Sequence, residues 1–132
     1  MNEKLDALLC EKYPKMMVNR DKHMMETCMC WGFECGDGWF NILDQLMGDI
    51  QHRIDWKNKN GEVVAQVTLD QVKEKFGRLR FYYSGGDDVI DGMVIMAESM
   101  SGVTCETCGS PGTQTQGGWI QTLCAAHRGE DA

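Results

Sequence analysis

Four residues near the end of the chain have the types and spacing of a metal site. Cys105 and Cys108 form a CxxC pair, Cys124 and His127 form a CxxH pair, and fifteen residues separate the two. Two close pairs of thiolate and imidazole donors joined by a short loop supply what a tetrahedral Zn²⁺ takes. The two-residue gap of the first pair turns the chain so that both sulfurs face one point. Gly109, directly behind it, can take the positive φ that such a turn often requires. The second pair fits one turn of a short helix. Four protein ligands leave no position open for water, so the expected role of a single Zn²⁺ is structural. The other reading of these cysteines is free thiols or a disulfide.

The remaining chemistry-bearing residues are less specific. His23, Cys28, Cys30 and Cys35 stand at H-x4-C-x-C-x4-C. That spacing matches no common structural zinc pattern, and buried free cysteines account for it as well. Glu34 and Asp37 flank Cys35 as an acid pair, although Asp37 is equally placed to cap a helix. Asp87, Asp88 and Asp91 cluster where a helix should begin; Asp87 or Asp88 can cap it, and carboxylates there favour the helix dipole without any cation. Lys73, Lys75, Arg78 and Arg80, with Tyr82, make the one concentrated basic segment. Guanidinium groups beside an aromatic ring can hold a phosphate, a nucleotide or an acidic side chain; a solvated sheet face is the plainer reading. These five residues, together with Glu34, Asp37 and Trp39 of the adjoining loop, are the expected ligand- or partner-binding surface. A Walker-type loop, H-E-x-x-H and G-x-S-x-G are all missing, so no enzymatic activity is expected.

Charge narrows the choice of partner. The net charge is −7 over 132 residues, and it is uneven. Residues 1–83 hold thirteen acids and twelve bases, whereas residues 84–132 hold seven acids and only Arg128 as a base. Three zinc-bound thiolates add about one further negative unit to that half. Whole-chain, sequence-independent nucleic-acid binding is therefore disfavoured. A basic protein partner fits the sign, and so does plain solubility. Seven cysteines in a chain without signal-peptide zones, one of them necessarily unpaired, suggest a reducing cytosol. No apolar run reaches membrane-spanning length.

The elements that must position these groups follow from periodicity. Leu5, Leu8 and Leu9 predict a short helix over 2–13, closed by Pro14. Residues 15–36 show no clean period; Met16, Met17, Met24, Met25 and Met29 read mainly as core fillers. Trp39, Leu43, Leu46, Met47, Ile50 and Ile54 form one stripe of a helix over 38–54, capped by Asp37. Residues 57–61 read as a turn. A strand runs from Val63 toward Lys75, turns at Phe76-Gly77-Arg78 and returns as Leu79–Tyr83. Ser84-Gly85-Gly86 reads as a break before a second amphipathic helix over 88–100. The expected fold is α+β: an antiparallel hairpin or larger sheet against two or three helices, closed by a zinc knuckle of zinc-ribbon or truncated treble-clef type. The expected organisation is a single domain, 1–132, with an N-terminal segment 1–30, a core 31–100 and a metal-binding end 101–132.

Four blocks carry a resemblance. Cys35–Trp39 (CGDGW), Lys73–Tyr82 (KEKFGRLRFY), Ala97–Ser101 (AESMS) and Cys105–His127 together resemble small zinc-binding proteins of phages and prophages. The resemblance covers most of 31–127. It implies a setting, the bacterial host cytosol, and no particular reaction. The resulting expectation is an accessory protein that binds and modulates a host protein, such as a defence or nucleic-acid-processing component. The alternative is a nucleotide- or nucleic-acid-binding module working through the basic hairpin 73–82.

Overall fold

The computed structural model describes residues 1–129; residues 130–132, the end of the expected metal-binding segment, lie outside the described residues. Among the described residues the architecture is α+β, with three α-helices, a three-stranded sheet and a two-stranded sheet. In chain order these are α1 (Glu3–Lys12), β1 (Phe33–Glu34), α2 (Phe40–Lys59), β2 (Ala65–Lys75), β3 (Arg78–Gly86), α3 (Asp88–Ser101), β4 (Thr113–Gln114) and β5 (Thr122–Leu123). Among the described residues no helix is long and apolar enough to cross a membrane.

The large sheet has order β1-β2-β3. β2 and β3 are antiparallel, as expected, but β1 joins β2 in parallel, with Phe33 beside Val72 and Glu34 beside Lys73. A two-residue strand carries too little pattern to be read from sequence. β2 is irregular between Leu69 and Gln71, so Val72 rather than Gln71 continues the buried row begun by Val67 and Leu69. The Met16 carbonyl accepts the Leu69 amide there, at 2.9 Å.

One face of the sheet, with Leu69, Val72, Leu79 and Phe81, packs on the stripes of α2 and α3. The α2 stripe is as expected: Leu43, Leu46, Met47, Ile50 and Ile54 are all buried. Three boundaries differ. Asp37 does not cap α2; its carboxylate accepts from the Asn2 amide and side chain at 2.7 and 2.9 Å, and a 3-10 turn over Asp37–Trp39 leads into the helix. The helix runs past Ile54 to Lys59, because Lys57 and Lys59 suit its C-terminal end and the turn comes only at Asn60-Gly61. Residues 84–86 are no break, since β3 continues through them. Gly85, at φ +87°, lies so close to β2 that an added Cβ would meet the Gln66 carbonyl at 2.2 Å. Of the two expected candidates it is Asp87 that caps α3, accepting the Ile90 amide at 3.0 Å, and Arg53 of α2 grips the same carboxylate at 2.9 Å.

The N-terminal segment divides. Met16, Met17 and Met29 are buried, whereas Met24 and Met25 are exposed. Of the three α1 leucines only Leu9 is fully buried.

Candidate metal centre and the surfaces around it

Cys105, Cys108, Cys124 and His127 come together, their donor atoms all within 4.8 Å of one another. The Cys108 and Cys124 sulfurs are 3.7 Å apart, and His127 Nδ1 lies 3.7 Å from Cys105 Sγ and 3.2 Å from Cys124 Sγ. A tetrahedron with metal–sulfur bonds of about 2.3 Å has sulfur–sulfur edges of about 3.8 Å, and sulfur–nitrogen edges slightly shorter. The four donors therefore fit one tetrahedral ion. All seven cysteines are free thiols, so no disulfide competes for these sulfurs.

Local backbone explains the convergence. Gly109, at φ +84°, closes the CxxC turn and donates to the Cys105 carbonyl at 2.9 Å. At the second pair the His127 and Arg128 amides donate to the Cys124 carbonyl, forming a single turn. Arg128 reaches back to the Thr113 and Leu123 carbonyls at 2.7 and 3.1 Å, tying that turn to the β4–β5 ladder. Electrostatics are those of an anionic pocket. Burial raises the Cys105 thiol, yet amide hydrogen bonds from Cys124, Cys108 and Thr107 outweigh it and bring it down to about 6. The His127 amide pulls Cys124 down, but desolvation and the two neighbouring sulfurs push it up overall. Several thiols crowded together cannot all ionise alone; a bound dication removes that conflict.

The centre is bolted to the core by backbone contacts that the sequence did not announce. Glu106, inside the CxxC loop, accepts the Gly36 amide on its carboxylate at 2.8 Å and the Gly38 amide on its carbonyl at 2.7 Å. A Cβ on Gly38 would meet the Cys105 carbonyl at 2.2 Å, and one on Gly36 the Glu106 carbonyl at 2.3 Å. Only glycine permits this approach. Trp39 is fully buried and donates Nε1–H to the Thr104 carbonyl at 2.9 Å. Its expected role as a partner-binding residue is therefore corrected, as it pins the core to the metal end. Asp37 is exposed, its carboxylate held by Asn2. Glu34 is exposed.

Two further anchors complete the frame. Thr122 is buried and its hydroxyl donates to the Gly77 carbonyl at the hairpin tip at 2.5 Å. Ser101 Oγ accepts the Leu79 amide at 2.8 Å and Glu98 accepts the Phe81 amide at 2.9 Å, so α3 side chains satisfy the outer edge of β3. A polar residue at a helix position facing a strand edge was the available signal.

His23, Cys28, Cys30 and Cys35 are not brought together; the C-terminal quartet is the one such group among the described residues. Cys28 is exposed, and Cys35 is buried with its thiol pushed up to about 12 by desolvation. The basic residues do share one sheet face. Lys73 stands opposite Arg80 and Lys75 opposite Arg78, with Tyr82 next along β3. On the other side of the molecule a groove of about 630 Å³ runs between α2 and α3, walled by Ile42, Leu46, Met93, Met96 and Met100. Its signal in the sequence was an α3 apolar on more than one face.

No protein-family model matches this chain, and neither does any curated protein or solved structure compared with it.

Proposed function

We propose that the protein is a zinc-stabilised binding module that acts on a protein partner through the α2–α3 groove. The observation that carries this reading is the groove itself. Met96 and Met100 are 64% and 48% exposed on its wall, in a methionine-rich surface that can repack around a partner. Asp49 is the only charged residue among those lining it, and α3 contains acids but no base. An amphipathic helix with an apolar face and basic flanks complements that surface. The four-ligand centre supports a structural Zn²⁺, since Cys₃His leaves no vacant coordination position. The short β4–β5 pair between the two ligand pairs favours a ribbon-type knuckle over a treble clef. The four sequence blocks support the phage or prophage setting, with a host protein in the bacterial cytosol as the partner.

Affinity capture from bacterial lysate tests this. Wild type recovers a stoichiometric partner, crosslinked through a basic helical segment. Met96→Glu with Met100→Glu loses it while keeping the metal and the melting temperature. Capture that survives both glutamates contradicts the reading.

A further inference from the structure

The β2–β3 hairpin carries two stability costs, eased locally by the Glu74 carboxylate, which accepts the Gly77 amide at 2.7 Å, and by the Lys75 ammonium over the Phe76 ring. The first is its register. Lys73 faces Arg80 and Lys75 faces Arg78 directly across the ladder, two like-charge pairs in succession. Their side chains have no hydrogen-bond or ion-pair partner among the described residues. Lys12, Lys15, Arg20, Arg53 and Lys57 are ion-paired, whereas Lys4, Lys22 and Lys59, scattered elsewhere, form no ion pair among the described residues. Glu34 stands beside Lys73 on β1 but forms no ion pair with it, and Asp70 at the far end holds Ser84. The second cost is the turn. Phe76 and Gly77 have φ of +54° and +79°, the primed turn that a two-residue hairpin needs. Asparagine or glycine is the usual occupant of the first position; a phenylalanine there is backbone-strained. Burial does not explain the ring, which is 63% exposed with the Lys75 ammonium 5.6 Å from its centroid.

Both costs fall on one surface, and one ligand accounts for both. Four hairpin cations without an ion-pair partner, Arg78 lying against Gly102 at the end of α3 and Lys75 over the Phe76 ring, attract phosphates. Phe76 at the turn and Tyr82, 45% exposed, bracket them as stacking rings. From Arg78 to Tyr82 the strand spans about 13 Å, room for a few nucleotides. The face is a strand surface that borders, at Tyr82, a groove of about 480 Å³ walled by Met24, Met25, Thr27, Cys28 and Asp70, too small for a duplex. We infer that the β2–β3 face is a binding site for single-stranded nucleic acid, its phosphates on Lys73, Lys75, Arg78 and Arg80 and its bases on Phe76 and Tyr82. The site is independent of the α2–α3 groove and of any partner there. It is local, because the net charge of −7 repels polyanions elsewhere.

Fluorescence anisotropy with labelled single-stranded DNA and RNA oligomers, and with a duplex of equal length, tests it on the metal-loaded full chain. Both single strands or one of them should bind more tightly than the duplex. With four phosphate contacts, affinity should fall by about fifty-fold from 50 to 200 mM salt. Arg80→Gln should weaken binding yet raise the melting temperature, since it relieves a like-charge pair. Phe76→Asn should do the same by relieving the turn, with a loss of roughly tenfold in affinity. A residue with a purely structural role gives the opposite sign in stability. Three results overturn the inference: no single-strand binding at low salt, equal or tighter binding to duplex, or affinity unchanged in both variants.

Discussion

Gly38 illustrates how much of this protein is decided by single atoms. Its missing Cβ leaves space for the Cys105 carbonyl and for the Cys108 and Gly109 amides, all within 2.7 Å of where that atom would sit. Gly38→Ala must push the metal loop off the core. The expected cost is about 2 kcal/mol, which for a chain of this size lowers the melting temperature by roughly 6 °C in a thermal scan. The free thiols make a second prediction. Burial holds the Cys35 thiol up near 12, so it stays protonated and unreactive at neutral and mildly alkaline pH. Cys28 is exposed. Iodoacetamide at pH 8 should label Cys28 in the native protein and Cys35 only after unfolding, as read by peptide mass mapping. Prompt native labelling of Cys35 contradicts its placement.

At the scale of elements, α3 is held at both ends by polar side chains. Asp87 caps its start and binds Arg53. That Arg53 hydrogen bond and the Ile90 amide keep its carboxyl below the usual range. A depressed carboxyl contributes stability above its unfolded pKa and loses it as pH falls through the folded one. Asp87→Ala should cost about 1 kcal/mol at neutral pH by denaturant titration, and the gap to wild type should close in acid. At the other end Ser101→Ala leaves the buried Leu79 amide without an acceptor, at about 2 kcal/mol. The α2 stripe and the α3 cap were legible because period and capping chemistry are local. The misreadings came where tertiary contacts override local preference. Asp37 has the residue type of a cap but is drawn to Asn2. Gly85 and Gly86 have the composition of a break but serve close strand approach. Trp39 sits in a glycine-rich loop yet points inward to Thr104. β1 pairs in parallel through two residues, too short for any pattern.

At the scale of the whole molecule, the C-terminal centre works as a clamp. The CGDGW loop and the hairpin turn dock on residues 106–122 through Glu106 and Thr122, and β3 docks on the end of α3 through Ser101. The quartet itself was legible because metal geometry imposes spacing on sequence. Its docking partners were not, because backbone-to-backbone contact demands only glycines, which sequence reads as turns. Metal removal should therefore loosen more than the knuckle. Chelation should raise hydrogen exchange at Gly36 and Gly38 and through 104–128, while the buried rows of α2 and β2 stay protected. Native mass spectrometry of the purified wild type tests the central claim most directly. The account predicts one zinc per chain, lost in Cys108→Ser. A metal-free wild type, or a Cys108→Ser variant that keeps one full equivalent, would contradict it.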